Sequence, residues 1–214
     1  MPPSSPAAVT SEIIVRALAQ YQISASSQQI EQILLYLNLL LKWNDKVNLT
    51  AIRDPLEILH RHFCECMFAA ESVPIERGRL ADVGSGAGFP GLPLKIMRPE
   101  LEIFLIESNL KKATFLAEVI RELALVKTRV IVGRYEDLGE ELAPLDFVCS
   151  RALGDFDAFL KWAASEMLAA KRVVLWVGGR DLEEIRRNTL WTWREPITVP
   201  QSLRRYLLVG ERNP

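Results

Sequence analysis

Three cysteines and two histidines in 214 residues leave little material for a disulfide framework or a metal cluster. The cysteine count is odd and no C-x-x-C pair repeats, which points to a reducing compartment. His60, His62, Cys64 and Cys66 alternate, and on a strand they would share a face that could bind zinc. The apolar residues Leu56, Leu59, Phe63, Met67 and Ala70 set a helical period instead, which scatters the four around an axis and leaves only His62 and Cys66 as neighbours, so no metal is expected. No apolar run is long enough to span a bilayer, so no membrane contact is expected. The opening residues MPPSSPAAVT combine neither a basic segment nor an apolar core, so they are not expected to act as a secretory signal. A net charge of −1 removes any global basic signal for nucleic acid, so contact with RNA must come from a local patch. The expectation is a soluble cytoplasmic protein.

What the chain does have is a 49% hydrophobic composition, enough for a sizeable core, and one concentrated stretch of glycine. Residues 1–9 are rich in Pro, Ser and Ala and read as a disordered tail. Residues 10–77 read as a helical extension. Ile13, Ile14, Ala17 and Leu18 mark a first helix, and Ser26 with Gln29 has capping-box spacing ahead of a second that ends near Asp45. Asp54-Pro55 opens a third. From residue 78 to 214 strands and helices alternate. Strands are expected near 79–83, 101–107, 128–133, 145–149 and 171–177, with helices near 90–97, 109–124, 155–169 and 180–188. Such alternation implies parallel strands with crossover helices on both faces. Two strands near 191–198 and 204–210 would close the sheet as an antiparallel hairpin, with Trp191 and Trp193 packing inward.

The stretch Asp82-Val-Gly-Ser-Gly-Ala-Gly-Phe-Pro-Gly91 follows the first of these strands. In open α/β sheets ligands bind beyond the carboxyl ends of the strands. Two registers can be read. Gly86, Gly88 and Gly91 fit the dinucleotide fingerprint, with Glu107 at the distance of a ribose-binding acid. In that register Pro90 lacks a backbone donor where a pyrophosphate needs one. The other register, Asp82-x-Gly84-x-Gly86-x-Gly88, is the first motif of Rossmann-like methyltransferases that use S-adenosylmethionine. Glu107 would accept from ribose hydroxyls in either register. Glu136, after the third strand, could accept from an adenine amino group, and Arg151, after the fourth, would stand at the mouth of the same crevice. Lys95, Arg98, Lys111, Lys112, Arg180, Arg186 and Arg187 are the candidate RNA-facing charges.

The same residues resemble a known family. The run from Asp82 to Leu94, with Asn48-Leu49-Thr50, Glu107-Ser108-Asn109-x-Lys111-Lys112, Gly133-Arg134-x-Glu136 and Ser150-Arg151-Ala152, is similar to the ribosomal RNA small subunit methyltransferase G family, also called glucose-inhibited division protein B. The resemblance runs from about residue 30 to the end and is weakest past residue 175. It implies a Rossmann-like class I methyltransferase with a mostly parallel seven-stranded sheet and an N-terminal helical extension. It implies S-adenosyl-L-methionine as cofactor and 16S rRNA, or a small ribosomal subunit particle, as partner. The product implied is 7-methylguanosine in the 530 loop, formed by direct in-line displacement without a general base. The rival classes are a non-catalytic RNA-binding or ribosome-assembly protein that retains the fold and, disfavoured by Pro90 and the Asp82 register, an NAD-dependent oxidoreductase.

By carry-over Gly84, Gly86, Phe89, Glu107, Tyr135, Glu136 and Arg151 bind the cofactor, with Arg151 also a positioning residue. Asn48, Pro90, Lys111 and Arg180 are carried over as substrate contacts, and the protein is expected to be a monomer. The sequence departs from the family at three places. Tyr135 replaces a small apolar residue, Phe63-Cys64-Glu65-Cys66 follows His62 where an Asp-Ser pair is usual, and Gly178-Gly179 stands where a lysine precedes glycine.

Overall fold

The computed structural model describes residues 9–151 and 154–213. The tail expected over 1–9 lies, apart from Val9, outside the described residues, as does Ala152. The chain opens with α1 (Ser11–Ala19) and α2 (Ser27–Val47). The Ser26 hydroxyl accepts from Gln29 N and the Gln29 side chain accepts from Ser26 N, so the capping box expected from the sequence forms in both directions. The helix runs two residues past the expected end, to an Asn48 cap in the left-handed region. Asp54 caps α3 (Pro55–Ile58).

The third helix was expected to be continuous. Instead a π segment, Leu59–Cys64, separates α3 from α4 (Glu65–Ser72), and Glu65 N donates to His60 O five residues back. Such a bulge rotates the side chains that follow it relative to those before.

The sheet then builds from β1 (Gly78–Val83), β2 (Leu101–Glu107), β3 (Thr128–Val132), β4 (Phe147–Ser150) and β5 (Arg172–Gly178), all parallel. Helices α5 (Gly91–Met97), α6 (Leu110–Glu122), α7 (Phe156–Ala163) and α8 (Leu182–Arg186) connect strands. Helix α7 stops well short of residue 169; its last carbonyls are capped by Ala164 and a turn follows. The C-terminal pattern resolves into β6 (Trp191–Trp193), β7 (Ile197–Thr198) and β8 (Arg205–Arg212). Strand β8 inserts antiparallel between β5 and β6, giving the order β3-β2-β1-β4-β5-β8-β6. Seven strands lie on that path, and the two-residue β7 also pairs with β8.

Period-two alternation divides the core. In β2, Leu101, Ile103 and Leu105 join one apolar cluster while Phe104 and Ile106 join another on the opposite face. The first cluster takes in the extension through Ile14, Leu37 and Phe63, so helices from the N-terminus cover that face. Trp191 is buried on the other face, its indole N–H donating to Leu160 O at 3.2 Å. The order of the strands places β1, β2 and β4 side by side, and their carboxyl ends define the site.

Candidate functional site

The loop after β1 is built from internal hydrogen bonds. Gly84 N and Ser85 N both donate to Ile106 O at 3.0 Å, tying the loop to the end of β2. Gly88 N and Phe89 N donate to Ser85 O, and Leu92 N donates to Gly88 O. Asp82 is fully buried, and its Oδ2 accepts from Gly91 N at 3.0 Å. The motif's acid therefore acts as a strut that pulls the start of α5 back onto β1. Burial pushes its carboxyl up to about 7, against the Gly91 N–H that stabilises the charged form.

The loop glycines divide by surroundings. Gly84 (φ +70°) and Gly86 (φ +58°) border open space: a Cβ on Gly84 would meet nothing within 4 Å. A Cβ on Gly88 (φ +92°) would collide with Leu92 and lie 2.5 Å from the Tyr36 hydroxyl, which itself donates to Ala87 O. A Cβ on Gly91 would lie 2.6 Å from Leu105 and 2.8 Å from Asp82 Oδ2.

Glu107 closes β2. Its Oε2 accepts from Gly86 N and its Oε1 from Asn109 N, both at 2.8 Å. Each oxygen keeps a lone-pair direction for a further donor. Two pockets flank this carboxylate and share Gly84 with it. The first, about 370 Å³, is lined by Val83, Ile106, Ser108 and the segment Gly133–Glu136. The second, about 360 Å³, is lined by Ser85–Ala87, Phe89, Lys112 and Arg151, with Leu49, Thr50 and His62 from the extension.

In the first pocket the Tyr135 ring leans inward against Trp162 and Phe159, with ring centroids 5.1 and 6.1 Å away. Glu136 accepts from Arg134 at 2.7 Å, which holds its carboxyl below the usual range. In the second pocket Phe89 is wedged between the rings of Tyr36, Phe63 and His62. Arg151 lies 3.6 Å from Cys66 Sγ; burial pushes that thiol up to about 12, with Arg151 pulling the other way. Burial, then the cations Arg151 and Arg61, push His62 down to about 3, so its imidazole is neutral at physiological pH. Glu65 is buried, paired with Arg205 at 2.6 Å, and Trp176 donates to its carbonyl.

The structure thus brings Gly84, Gly86, Phe89, Glu107, Tyr135, Glu136 and Arg151 around one crevice. Asn48, Pro90, Lys111 and Arg180 line neither pocket. Asn48 caps α2 and accepts from Arg53; Pro90 is buried at the start of α5; Lys111 stands on the exposed face of α6; Arg180 is exposed in the turn after β5. Lys112, one residue on from Lys111, is the lysine at the pocket. Two of the charges read as RNA-facing are used internally. Lys95 is buried and donates to Pro99 O and Leu101 O, and Arg98 pairs with Glu71 and Glu76.

Thr50 lines the second pocket and Tyr36 packs behind it on Phe89, two positions that residue spacing does not assign to the site. For Tyr36 a signal was present: a hydroxyl on the apolar face of α2 needs a buried partner. Among the described residues, no group of three or more His, Cys, Asp or Glu is placed to hold a metal, and no helix is long and apolar enough to cross a membrane.

One feature separates the two registers. A pyrophosphate on a helix N-terminus needs unpaired N–H groups there. Here the N–H groups of Gly88, Phe89, Gly91 and Leu92 all have acceptors within the chain, and Pro90 has none to offer. With those N–H groups spent, the start of α5 offers a pyrophosphate no donors. Comparison with known proteins agrees: residues 29–197 match the family model described as rRNA small subunit methyltransferase G. The chain belongs to this family.

Its relatives include the ribosomal RNA small subunit methyltransferase G of Dichelobacter nodosus, 40% identical over 72% of this chain and 72% of that protein. The enzyme of the same name from Lactococcus lactis strain SK11 is 33% identical over 83% of this chain and 84% of its own length. Among solved structures, a SAM dependent methyltransferase from Aquifex aeolicus superposes with a TM-score of 0.58 at 14% identity, covering 75% of this chain and 94% of that one. A ribosomal protein L11 methylase from Lactobacillus delbrueckii gives 0.56 at 13% identity over 72% and 80%. These two likenesses establish the class I methyltransferase fold. The protein is an rRNA methyltransferase, with S-adenosylmethionine as its cofactor.

Proposed function

We propose that this chain methylates N7 of a guanine in the 530 loop of 16S rRNA, acting in the cytoplasm as a monomer on the RNA or on a small-subunit particle. The reading rests on family membership together with one observation: Glu107 stands between two adjoining pockets with both oxygens aimed by backbone N–H groups. The cofactor, when bound, supplies an electrophilic sulfonium methyl. Glu107 would hold the ribose hydroxyls. Glu136 and the Tyr135 main chain would border the adenine, since the Tyr135 ring is turned into the core. Gly84 and Gly86 would admit the ligand where a side chain would obstruct it, and Phe89 would form the floor.

Guanine N7 carries a lone pair and no proton, so the chain need not remove one. The pocket groups agree with that requirement: His62 is neutral and lacks the pKa of a base working near pH 7, while Arg151 and Lys112 are cations. The work left to the protein is to hold the reacting atoms in line and at contact distance. Arg151 would contribute by contacting guanine O6 alone, because bidentate capture of O6 and N7 would cover the attacking atom. Arg180, on the turn after β5, and the exposed Lys111 remain candidates for phosphate contacts outside the pocket, with Asn48 and Pro90 as candidate substrate contacts.

Transfer of labelled methyl to small-subunit particles from cells lacking the modification, followed by nucleoside digestion, tests the reading. Label in 7-methylguanosine from the 530 loop is expected. Label in another nucleoside, or a protein that binds particles and cofactor without transfer, would overturn it. Arg151→Ala should lower transfer at least tenfold; unchanged transfer and cofactor affinity would remove the role assigned to it.

A further inference from the structure

The wall that the extension adds to the second pocket is a hydrogen-bonded unit. Asn44 is buried on α2 and clamps the Thr50 backbone from both sides, donating to Thr50 O at 3.0 Å and accepting from Thr50 N at 2.9 Å. Ile52 N donates to Thr50 Oγ1 at 3.2 Å. His62 Nε2 lies 2.7 Å from the same Oγ1, and its ring stacks on Phe89 with centroids 4.9 Å apart and planes 26° apart. Both side chains line the pocket with Ala87 and Arg151.

A hydroxyl has two acceptor sites and one hydrogen. One acceptor site on Thr50 is taken by Ile52. His62 Nδ1 is buried with no partner among the described residues, so the one ring hydrogen of the neutral imidazole is satisfied only on Nε2, where Thr50 Oγ1 accepts it. The hydroxyl hydrogen is then free to turn to a third partner, and no other acceptor for it lies among the described residues. We propose that Thr50, oriented by His62, donates its hydroxyl hydrogen to the carboxylate at the amino-acid end of the methyl donor.

This rests on the reading of Glu107 as the ribose ligand. With the adenosine side in the pocket of Gly133–Glu136, the amino-acid end lies across Glu107, in the pocket of Thr50. The charges there favour an anion, since two cations, Lys112 and Arg151, line it against the single carboxylate of Glu107, and neither is ion-paired among the described residues. Ala87 N, alone among the loop N–H groups from Gly84 to Gly91, also lacks an acceptor in the described chain. The extension would then be part of the cofactor site as well as a cover for the sheet.

Calorimetry with two ligands tests this. S-adenosylhomocysteine carries the carboxylate, and 5′-methylthioadenosine lacks the whole amino-acid end. Thr50→Val should bind S-adenosylhomocysteine about tenfold more weakly, as expected for loss of a hydrogen bond to a charged group, and bind 5′-methylthioadenosine as the wild type does. Thr50→Ser should restore the affinity. His62→Phe, which keeps the stack and removes the nitrogens, should show the same selective loss to a smaller degree. Equal binding of both ligands by wild type and Thr50→Val would overturn the proposal. So would a parallel loss of both, which would mark Thr50 as structural support only. A wild-type protein that binds neither ligand would overturn the donor-site reading beneath it as well.

Discussion

Gly84 and Gly88 lie four residues apart in one loop, and both have positive φ, 70° and 92°. A Cβ at the first would enter open space, and a Cβ at the second would run into Tyr36 and Leu92. Gly86 sides with Gly84, and Gly91 with Gly88. A motif that reads as four equivalent glycines is therefore two devices. The leading pair leaves room for a ligand beside Glu107. The trailing pair lets α2 and β2 close on the loop, so that its N–H groups are spent internally. The difference explains how a glycine-rich turn can fit two cofactor fingerprints and still reject a pyrophosphate.

The largest effect should come from filling the trailing side. Gly91→Ala would press against Leu105 and the Asp82 carboxylate. It should cost about 3 kcal/mol in urea denaturation, as overpacking does. Affinity of the folded protein for S-adenosylhomocysteine should change by less than about threefold, equivalent to under about 0.7 kcal/mol. A stability change under about 0.5 kcal/mol would erase the distinction between the pairs.

The leading side is sharpened by Glu107→Gln. One of the two accepting oxygens becomes an NH2 donor, so the side chain can no longer accept from both backbone N–H groups and both ribose hydroxyls. Calorimetry should show binding weakened by about 2 kcal/mol, roughly thirtyfold. Unchanged affinity would remove Glu107 from the site.

The strut and the extension should separate by pH. Asp82 has a folded pKa near 7, above its unfolded value near 3.8, so its contribution to stability falls as pH rises through that interval. His62 has a folded pKa near 3, below its unfolded value near 6.5, so its contribution is present above pH 6.5 and is lost as pH falls toward 3. Between pH 4 and 6.5 the two oppose, each with at most about 1.4 kcal/mol per pH unit. Denaturation across this range should show a steeper acid loss in Asp82→Asn and a shallower one in His62→Phe. Equal slopes in both variants would contradict the burial assigned to them.

The smallest effect contrasts adjacent lysines. Lys112→Ala should weaken S-adenosylhomocysteine binding by about threefold, in line with a partly screened charge, while Lys111→Ala leaves it unchanged. Equal effects would mean that lining the pocket does not matter for the charge.

The sheet could be read from the sequence because its causes are local. Alternation in Leu101–Glu107 sends Ile103 and Leu105 to one face and Phe104 and Ile106 to the other, whatever lies beyond. The strand-end acids and Arg151 followed from the same pattern. The wall of the second pocket and the long-range contacts behind it did not. Tyr36 reaches Ala87 across 51 residues, Thr50 meets His62 only after α2 has turned, and Glu65 pairs with Arg205 on the last strand. The π segment from Leu59 to Cys64 helps to set these directions, yet Leu56, Leu59, Phe63 and Met67 keep spacings that an ordinary helix also satisfies. Asp82 was legible as part of a motif, but its role as a strut to Gly91 depends on the return of the loop, which residue spacing does not encode.

The division of the loop is tested most directly by measuring Gly84→Ala and Gly88→Ala side by side, each by urea denaturation and by calorimetry with S-adenosylhomocysteine. The account predicts a crossing. Gly84→Ala should lose no more than about 2 kcal/mol of stability, the cost of a side chain at positive φ, but more than about tenfold in affinity. Gly88→Ala should lose about 3 kcal/mol or more of stability, with near wild-type affinity in the protein that remains folded. Losses of affinity and stability in the same proportion for both variants would contradict it.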